Sequence, residues 1–183
     1  MYQPQSITEY FINNFINPGD TVIDATMGNG NDTLKLCKKT GENGKVFAFD
    51  IQETALCATE KKLKEHNLNN AELILNSHEF MDQYVFSPVT CVIFNLGYLP
   101  GGDHKICTTP ESSIEAIKKS LDLISDNGFI SIPVYYGKNS GTEEKTSVMN
   151  FLKTVDHKKF TVMTFDFHNR PNNPPITVII TKN

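Results

Sequence analysis

Short apolar runs alternate with segments of helical periodicity along the chain, and this rhythm constrains the fold more than any other feature. Strands that alternate with helices build a parallel sheet with a helical layer on each face. The pattern predicts strands at Thr21–Ala25, Lys45–Asp50, Glu72–Asn76, Val89–Asn95 and Phe129–Val134, each an apolar run bounded by turn residues. A leading amphipathic helix carries Ile7, Tyr10, Phe11, Phe15 and Ile16 at helical spacing, with Ser6 as its N-cap and Asn17-Pro18-Gly19 as its stop. A well-marked helix is expected over Pro110–Ser125, where Thr109 is the N-cap, Pro110 suits the first turn, and Ile114, Ile117, Leu121 and Ile124 share one face. Asn127-Gly128 reads as its terminator. Another helix is expected over about Thr142–Val155, and Phe160–Phe167 with Ile176–Thr181 reads as a closing antiparallel hairpin. The connection of that hairpin holds Arg170-Pro171-Asn172-Asn173-Pro174-Pro175, which suits a binding loop and a solvated loop equally.

A chain of 183 residues is expected to hold these elements in a single domain, residues 1–183. Its longest apolar runs fall far short of the roughly 20 residues that cross a bilayer, so no membrane partner is expected. Met1 to Ser6 shows no basic leader and no apolar core of a signal peptide, which makes the cytoplasm the expected location. Cys37, Cys57, Cys91 and Cys107 lie 20, 34 and 16 residues apart, a spacing with no zinc pair and no compact disulfide framework. A net charge of -4 argues against a general nucleic-acid coat, which works by neutralising many phosphates, but leaves room for a local basic face.

In open α/β sheets ligands bind beyond the carboxyl ends of the strands, and the chain concentrates its glycine and polar residues there. After the first strand comes Asp24-Ala25-Thr26-Met27-Gly28-Asn29-Gly30-Asn31-Asp32-Thr33, in which glycines let the backbone approach a ligand and a helix beginning near Asp32 presents free N–H groups. A nucleotide-like ligand fits this loop, although a tight strand-to-helix turn also calls for glycine. Asp50 ends the second strand, 20 residues after Gly30, where a carboxylate can accept hydrogen bonds from ribose hydroxyls. Asn76-Ser77-His78 follows the third strand, and Ser77 there either borders an adenine or caps the short helix starting near His78.

The fourth strand delivers Asn95-Leu96-Gly97-Tyr98-Leu99-Pro100-Gly101-Gly102-Asp103, a loop suited to facing a substrate. The Asn95 amide oxygen can hold an amine nucleophile, and Tyr98 offers a ring to stack on a base and a phenol to orient it. A nicotinamide reading meets Thr33 where the third fingerprint glycine would stand. His66, His104, His157 and His168 show no ligand spacing, and no carboxylate cluster points to a metal, so none is expected. Neither a Gly-x-Ser-x-Gly elbow nor a P-loop signature occurs, which argues against a serine hydrolase and a P-loop NTPase.

Together Asp24 to Thr33, Phe49-Asp50-Ile51-Gln52, Ser77-His78 and Asn95 to Asp103 resemble the small class I S-adenosylmethionine-dependent methyltransferases known as putative rRNA methylases, over nearly the whole chain. The resemblance implies a Rossmann-like α/β fold with a seven-stranded, mostly parallel sheet of order 3-2-1-4-5-7-6, strand seven antiparallel and helices on both faces. It implies S-adenosyl-L-methionine as cofactor, met by Asp24, Gly28, Asn29, Gly30, Asn31, Asp50, Gln52, Ser77 and His78, with Asp50 on the ribose. It further implies N-methylation of the aminomethyl group of 5-aminomethyl-2-thiouridine at the tRNA wobble position, giving 5-methylaminomethyl-2-thiouridine. In that reading Asn95 and Tyr98 are the catalytic pair, Asp103, Lys138 and Arg170 meet substrate, a tRNA anticodon loop is the partner, and the protein is a homodimer. One departure stands out: the family tends to carry Gly-His-x-Gly-Gly after the fifth strand, whereas this chain has Tyr136-Gly137-Lys138-Asn139-Ser140-Gly141, with Lys138 at the histidine position. The rival readings are an rRNA or small-molecule methyltransferase, a non-catalytic cofactor-binding module and a nicotinamide oxidoreductase.

Overall fold

The alternation resolves into one seven-stranded sheet in a computed structural model that describes residues 4–97, 101, 107–135, 141–171 and 174–183. In chain order the elements are α1 (Pro4–Phe15), β1 (Thr21–Asp24), α2 (Asn31–Thr40), β2 (Lys45–Asp50), α3 (Glu53–Glu65), β3 (Ala71–Leu75), a 3-10 segment (His78–Gln83), β4 (Val89–Ile93), α4 (Pro110–Leu123), β5 (Ile124–Val134), α5 (Gly141–Leu152), β6 (Phe160–Phe165) and β7 (Ile176–Lys182). The strands lie in the order β3-β2-β1-β4-β5-β7-β6. The pairs β1–β2, β1–β4, β2–β3 and β4–β5 are parallel, while β7 runs antiparallel to both β5 and β6. This is the order and the strand-seven reversal expected above.

Side chains of a strand point alternately to the two faces, and consecutive residues here enter two different cores. Ile23, Val92, Ile130, Ile132, Val178 and Ile180 pack on the side of α4 and α5 with Phe49, Phe94, Ile117 and Val148. Val22, Ile93, Phe129 and Ile179 pack on the other side with Phe11, Ile12 and Ile16 of the N-terminal segment and Leu36 of α2. Phe11 anchors α1 there, its ring centroid 5.4 Å from that of Phe129 and 6.5 Å from that of Phe165. A buried hydrogen bond of 2.8 Å between the Thr8 and Ser131 hydroxyls ties the same helix to β5.

Element ends depart from the sequence-based expectation where capping or pairing overrides periodicity. Pro4 opens α1, so Ser6 lies inside the helix rather than at its cap. β1 ends at Asp24, β3 runs over Ala71–Leu75, and β4 stops at Ile93, because the residues beyond turn into loops at the sheet edge. α5 ends at Leu152 and β6 at Phe165. Thr109 does cap α4: its hydroxyl accepts from Ser112 N–H at 3.2 Å, and the Ser112 hydroxyl accepts from Thr109 N–H at 3.2 Å, a reciprocal box. Asn127-Gly128 is not the terminator of that helix. The helix ends at Leu123 and β5 begins at once, Ile124 pairing with Val89, and a bulge then takes up the extra residues before Phe129 meets Cys91. Asn127, at φ 62°, turns the chain inside this bulge.

A candidate cofactor and substrate crevice

Strand order reverses between β1 and β4: from β1 the chain builds outward through β2 and β3, and from β4 through β5. Such a switch point opens a crevice at the carboxyl ends of the two central strands, because their following segments depart to opposite sides. The loop after β1 and the segment after β4 therefore meet, although many residues separate them in the chain.

The β1 loop is folded against its neighbours by its own backbone. Met27 N–H donates to Phe49 O at 2.8 Å and Gly30 N–H to Met27 O at 2.7 Å, which winds Met27 to Gly30 into a turn beside β2. Gly28 N–H donates to Asp50 Oδ2 at 3.0 Å, and Gln52 N–H donates to Asp50 Oδ1 at 3.0 Å. Each carboxylate oxygen has a second lone-pair site, so half-buried Asp50 retains acceptor capacity for ligand hydroxyls. Gly30, at φ 72°, is the N-cap of α2 and supplies no side-chain oxygen, so the first amides of α2 have no side-chain cap. Lys62 of α3 donates to Asn31 Oδ1, and exposed Asn29 completes the rim of the turn. The exposed apolar residues Ile51, Leu75 and Phe80 lie at or just beyond the ends of β2 and β3, an unusual concentration beside a polar loop.

Asp24 is fully buried and faces inward, where Oδ2 accepts from the Thr33 hydroxyl at 2.6 Å and Oδ1 from Thr26 N–H at 3.2 Å. It ties loop to helix from beneath. Burial above all, then the nearby Asp32 carboxylate, pushes its pKa up to about 7, against the opposing effect of the two hydrogen bonds. A folded value raised above 3.8 means that the native chain keeps a proton which the unfolded chain has already lost. Stability contributed by this group is thus greatest at low pH, falls as pH rises from near 4 to near 7, and levels off above that. Asp24→Asn removes that slope. Urea midpoints of the variant relative to wild type should therefore rise between about pH 4 and about pH 7, and a constant difference would show that Asp24 is ionised throughout.

His78 is also buried. The Ala25 carbonyl can only accept, so the 3.1 Å contact assigns the hydrogen to Nδ1 and leaves Nε2 as an acceptor, buried and with no partner among the described residues. Burial lowers its pKa, and the ring meets Phe94 edge-on at 5.9 Å. Its Nδ1 bond braces the end of β1. Ser77 is the residue before the 3-10 segment, but its side chain makes no capping bond, and its N–H donates instead to Asn76 Oδ1 at 2.8 Å. The capping role considered for it does not occur.

Asn95 follows β4 and is fastened to the β1 side at two points. Its N–H donates to the Thr26 hydroxyl at 2.7 Å, and its Nδ2 donates to Asp32 Oδ2 at 2.9 Å. Gly97 and Thr108 are joined by two hydrogen bonds, Gly97 N–H donating to the Thr108 hydroxyl at 2.9 Å and Thr108 N–H to Gly97 O at 3.0 Å. Tyr98, Asp103 and Lys138 lie outside the described residues. Arg170 lies on the β6–β7 connection, its guanidinium 4.6 Å from the Phe167 ring centroid.

The crevice thus joins Gly28, Gly30, Asp50, Gln52 and Asn95, with Asp24 and His78 as internal braces, while Arg170 meets Phe167 of its own connection. Sequence reasoning passed over Asp32 as a partner, reading it only as the start of a helix. It also passed over Tyr135, just beyond β5, whose pKa is raised by burial and then by the Asp32 charge. Only strand order brings Asp32 to Asn95 and Tyr135 within reach of the Asp32 charge, and a residue's spacing in the chain carries no sign of that.

The chain matches the putative rRNA methylase family over residues 46–181. It is 36% identical over 170 residues to the chloroplastic tRNA (mnm(5)s(2)U34)-methyltransferase of Arabidopsis thaliana, covering 87% of this chain and 62% of that protein. The chain therefore spans about three fifths of that relative. A putative rRNA methylase from Clostridium thermocellum has the same fold at TM-score 0.98 and 48% identity, with 100% of this chain and 99% of that one covered. A putative methyltransferase from Streptococcus mutans, solved in complex with S-adenosylhomocysteine (SAH), follows at TM-score 0.91 and 41% identity, covering 100% and 99%. With the sheet order, the reversed seventh strand and the crevice between β1 and β4, these likenesses show that the chain belongs to the putative rRNA methylase family and has the class I methyltransferase fold.

Proposed function

We propose that the protein is an S-adenosylmethionine-dependent methyltransferase that N-methylates the aminomethyl group of 5-aminomethyl-2-thiouridine at the wobble position of tRNA. The crevice fits the methyl donor. Asp50 would accept from its ribose hydroxyls, the turn at Gly28, Asn29 and Gly30 with Asn31 and the uncapped start of α2 would receive its amino-acid end, and Gln52, Ser77 and His78 would flank its base. Bound there, S-adenosylmethionine supplies an electrophilic methyl carbon: a carbon–nitrogen bond forms as the carbon–sulfur bond breaks, sulfur takes the electron pair, and the amine releases a proton to solvent.

The observation that carries this reading is Asn95, held at the switch point by Thr26 and Asp32, with one N–H of its amide donated to Asp32. Its oxygen is the end left to accept an N–H from a neutral amine and hold the lone pair toward the methyl carbon, an orientation effect. Tyr98 would stack on the wobble base, and Asp103, Lys138 and Arg170 would meet the rest of an anticodon loop. The Arabidopsis relative, named for this modification, supports the substrate. The same reading makes the protein a cytoplasmic homodimer.

The test uses methyl-labelled S-adenosylmethionine with tRNA and rRNA pools from cells lacking the gene, followed by nucleoside mass spectrometry. One added methyl on 5-aminomethyl-2-thiouridine is the expected result, and label in rRNA alone would keep the cofactor but replace the substrate. Asn95→Ala should lower kcat by roughly a hundredfold with donor affinity nearly unchanged. Unchanged turnover at saturating tRNA would remove Asn95 from the mechanism.

A further inference from the structure

Asp32, the partner of the Asn95 amide, is itself fixed in place. It sits in the first turn of α2 with its side chain 23% exposed. Its Oδ2 accepts from Asn95 Nδ2, 63 residues away, at 2.9 Å. Its Oδ1 accepts from Lys35 Nζ at 3.2 Å, and the same ammonium reaches Glu9 of α1 at 2.8 Å. The carboxylate is held on both sides.

An amide side chain can present either its oxygen or its nitrogen to a ligand by rotating half a turn, and nothing in Asn95 itself decides between them. An ionised carboxylate decides, because it accepts hydrogen bonds and donates none. Only the NH2 end of Asn95 can face Asp32, and the oxygen must then lie on the opposite side. Lys35 supports this by donating to the other oxygen of Asp32 at 3.2 Å, which fixes the direction in which the carboxylate faces. With Asn95 N–H fixed on the Thr26 hydroxyl at 2.7 Å, the amide is constrained at its backbone and at its tip.

We infer that Asp32 is a positioning residue that sets the Asn95 amide oxygen outward, so that the site selects a nucleophile carrying an N–H to donate. This rests on the role proposed above for Asn95 and narrows it. An acceptor-only contact favours an amine with hydrogen on nitrogen and disfavours a carbonyl or a fully substituted nitrogen, which would meet the amide oxygen lone pair to lone pair.

Asp32→Asn tests this, since an amide at position 32 can offer an oxygen or an NH2 and no longer dictates how Asn95 turns. Methylation of undermodified tRNA by this variant should show kcat lowered about 10- to 100-fold. Calorimetry should give a dissociation constant for S-adenosylhomocysteine within about twofold of wild type, and Asp32→Glu, which keeps an acceptor-only group, should recover part of kcat. In an Asn95→Ala background, Asp32→Asn should cost nothing further, because a residue acting through Asn95 has nothing left to orient. Unchanged kcat in Asp32→Asn with impaired Asn95→Ala would overturn the inference and spare the role of Asn95, whereas unchanged kcat in Asn95→Ala would overturn both. A substrate-free arm follows the Asn95 side-chain amide by nitrogen-15 NMR. Its resonances should move on Asp32→Asn, and resonances that stay in place would overturn the inference even if no RNA pool accepts a methyl group.

Discussion

Asp50→Ala is expected to weaken binding of S-adenosylhomocysteine by at least about a hundredfold, read by calorimetry on the folded protein. Hydrogen bonds to a charged acceptor contribute about 1.5–3 kcal/mol each, and two ribose hydroxyls would lose theirs. The same carboxylate also accepts from Gly28 N–H and Gln52 N–H, each at 3.0 Å, so its loss frees the turn that shapes the rest of the crevice. Both effects act in the same direction. Asp50→Asn keeps one oxygen and should show a smaller loss than alanine. An Asp50→Ala protein that binds the product as wild type does would place the ribose elsewhere and dismantle the cofactor assignment.

Gly30→Ala should be among the most destabilising single changes to this loop. At φ 72° the backbone is left-handed, which costs a residue with a Cβ about 1–2 kcal/mol. The added carbon would also stand 2.7 Å from Thr59 Oγ1 and 2.9 Å from Thr59 Cα, so α3 itself would have to move. Overpacking of that kind adds about 1–3 kcal/mol. A total of about 2–5 kcal/mol corresponds to a fall in Tm of roughly 10 °C for a chain of this length. Thr59 donates to Gly28 O at 3.1 Å, so its displacement would disturb the turn after β1 as well. Gly19 is the control: at φ 94° it is equally left-handed, but a Cβ there meets nothing within 4 Å. Gly19→Ala should cost only the backbone strain, and equal losses at the two positions would show that contact with Thr59 plays no part.

Most strands and helices were legible because a strand covered on both faces is a continuous apolar run, whereas burial on a helix face repeats about every third or fourth residue. β2 is read with the bounds it has, and Thr109 as the cap of α4 follows from local chemistry, since a hydroxyl three residues before Ser112 can reach its N–H. Where a boundary rested on a distant partner, reading failed. Asn127-Gly128 has the composition of a helix stop, yet β5 already begins at Ile124 because Val89 of a different strand is there to pair with it. Ser77 has the composition of a cap, yet its side chain is not used as one.

The crevice divides in the same way. The glycine turn, the carboxylate at the end of β2 and the amide after β4 stand out in the sequence because each follows a strand, and the ends of parallel strands gather at one edge of a sheet. Their bonds do not stand out. Asp32 to Asn95, Gly28 to Asp50 and His78 to Ala25 join residues 63, 22 and 53 positions apart. The pKa of Asp24, raised to about 7, depends on burial that no neighbouring residue dictates. The sequence by itself determined the elements, their alternation and the loops that hold polar groups, because hydrogen bonding and burial within a strand or helix are local and periodic. Tertiary structure alone decided which loops share a crevice, which way the Asn95 amide turns and how far the pKa of Asp24 is raised, because these depend on strand order and on the exclusion of water by segments far apart in the chain.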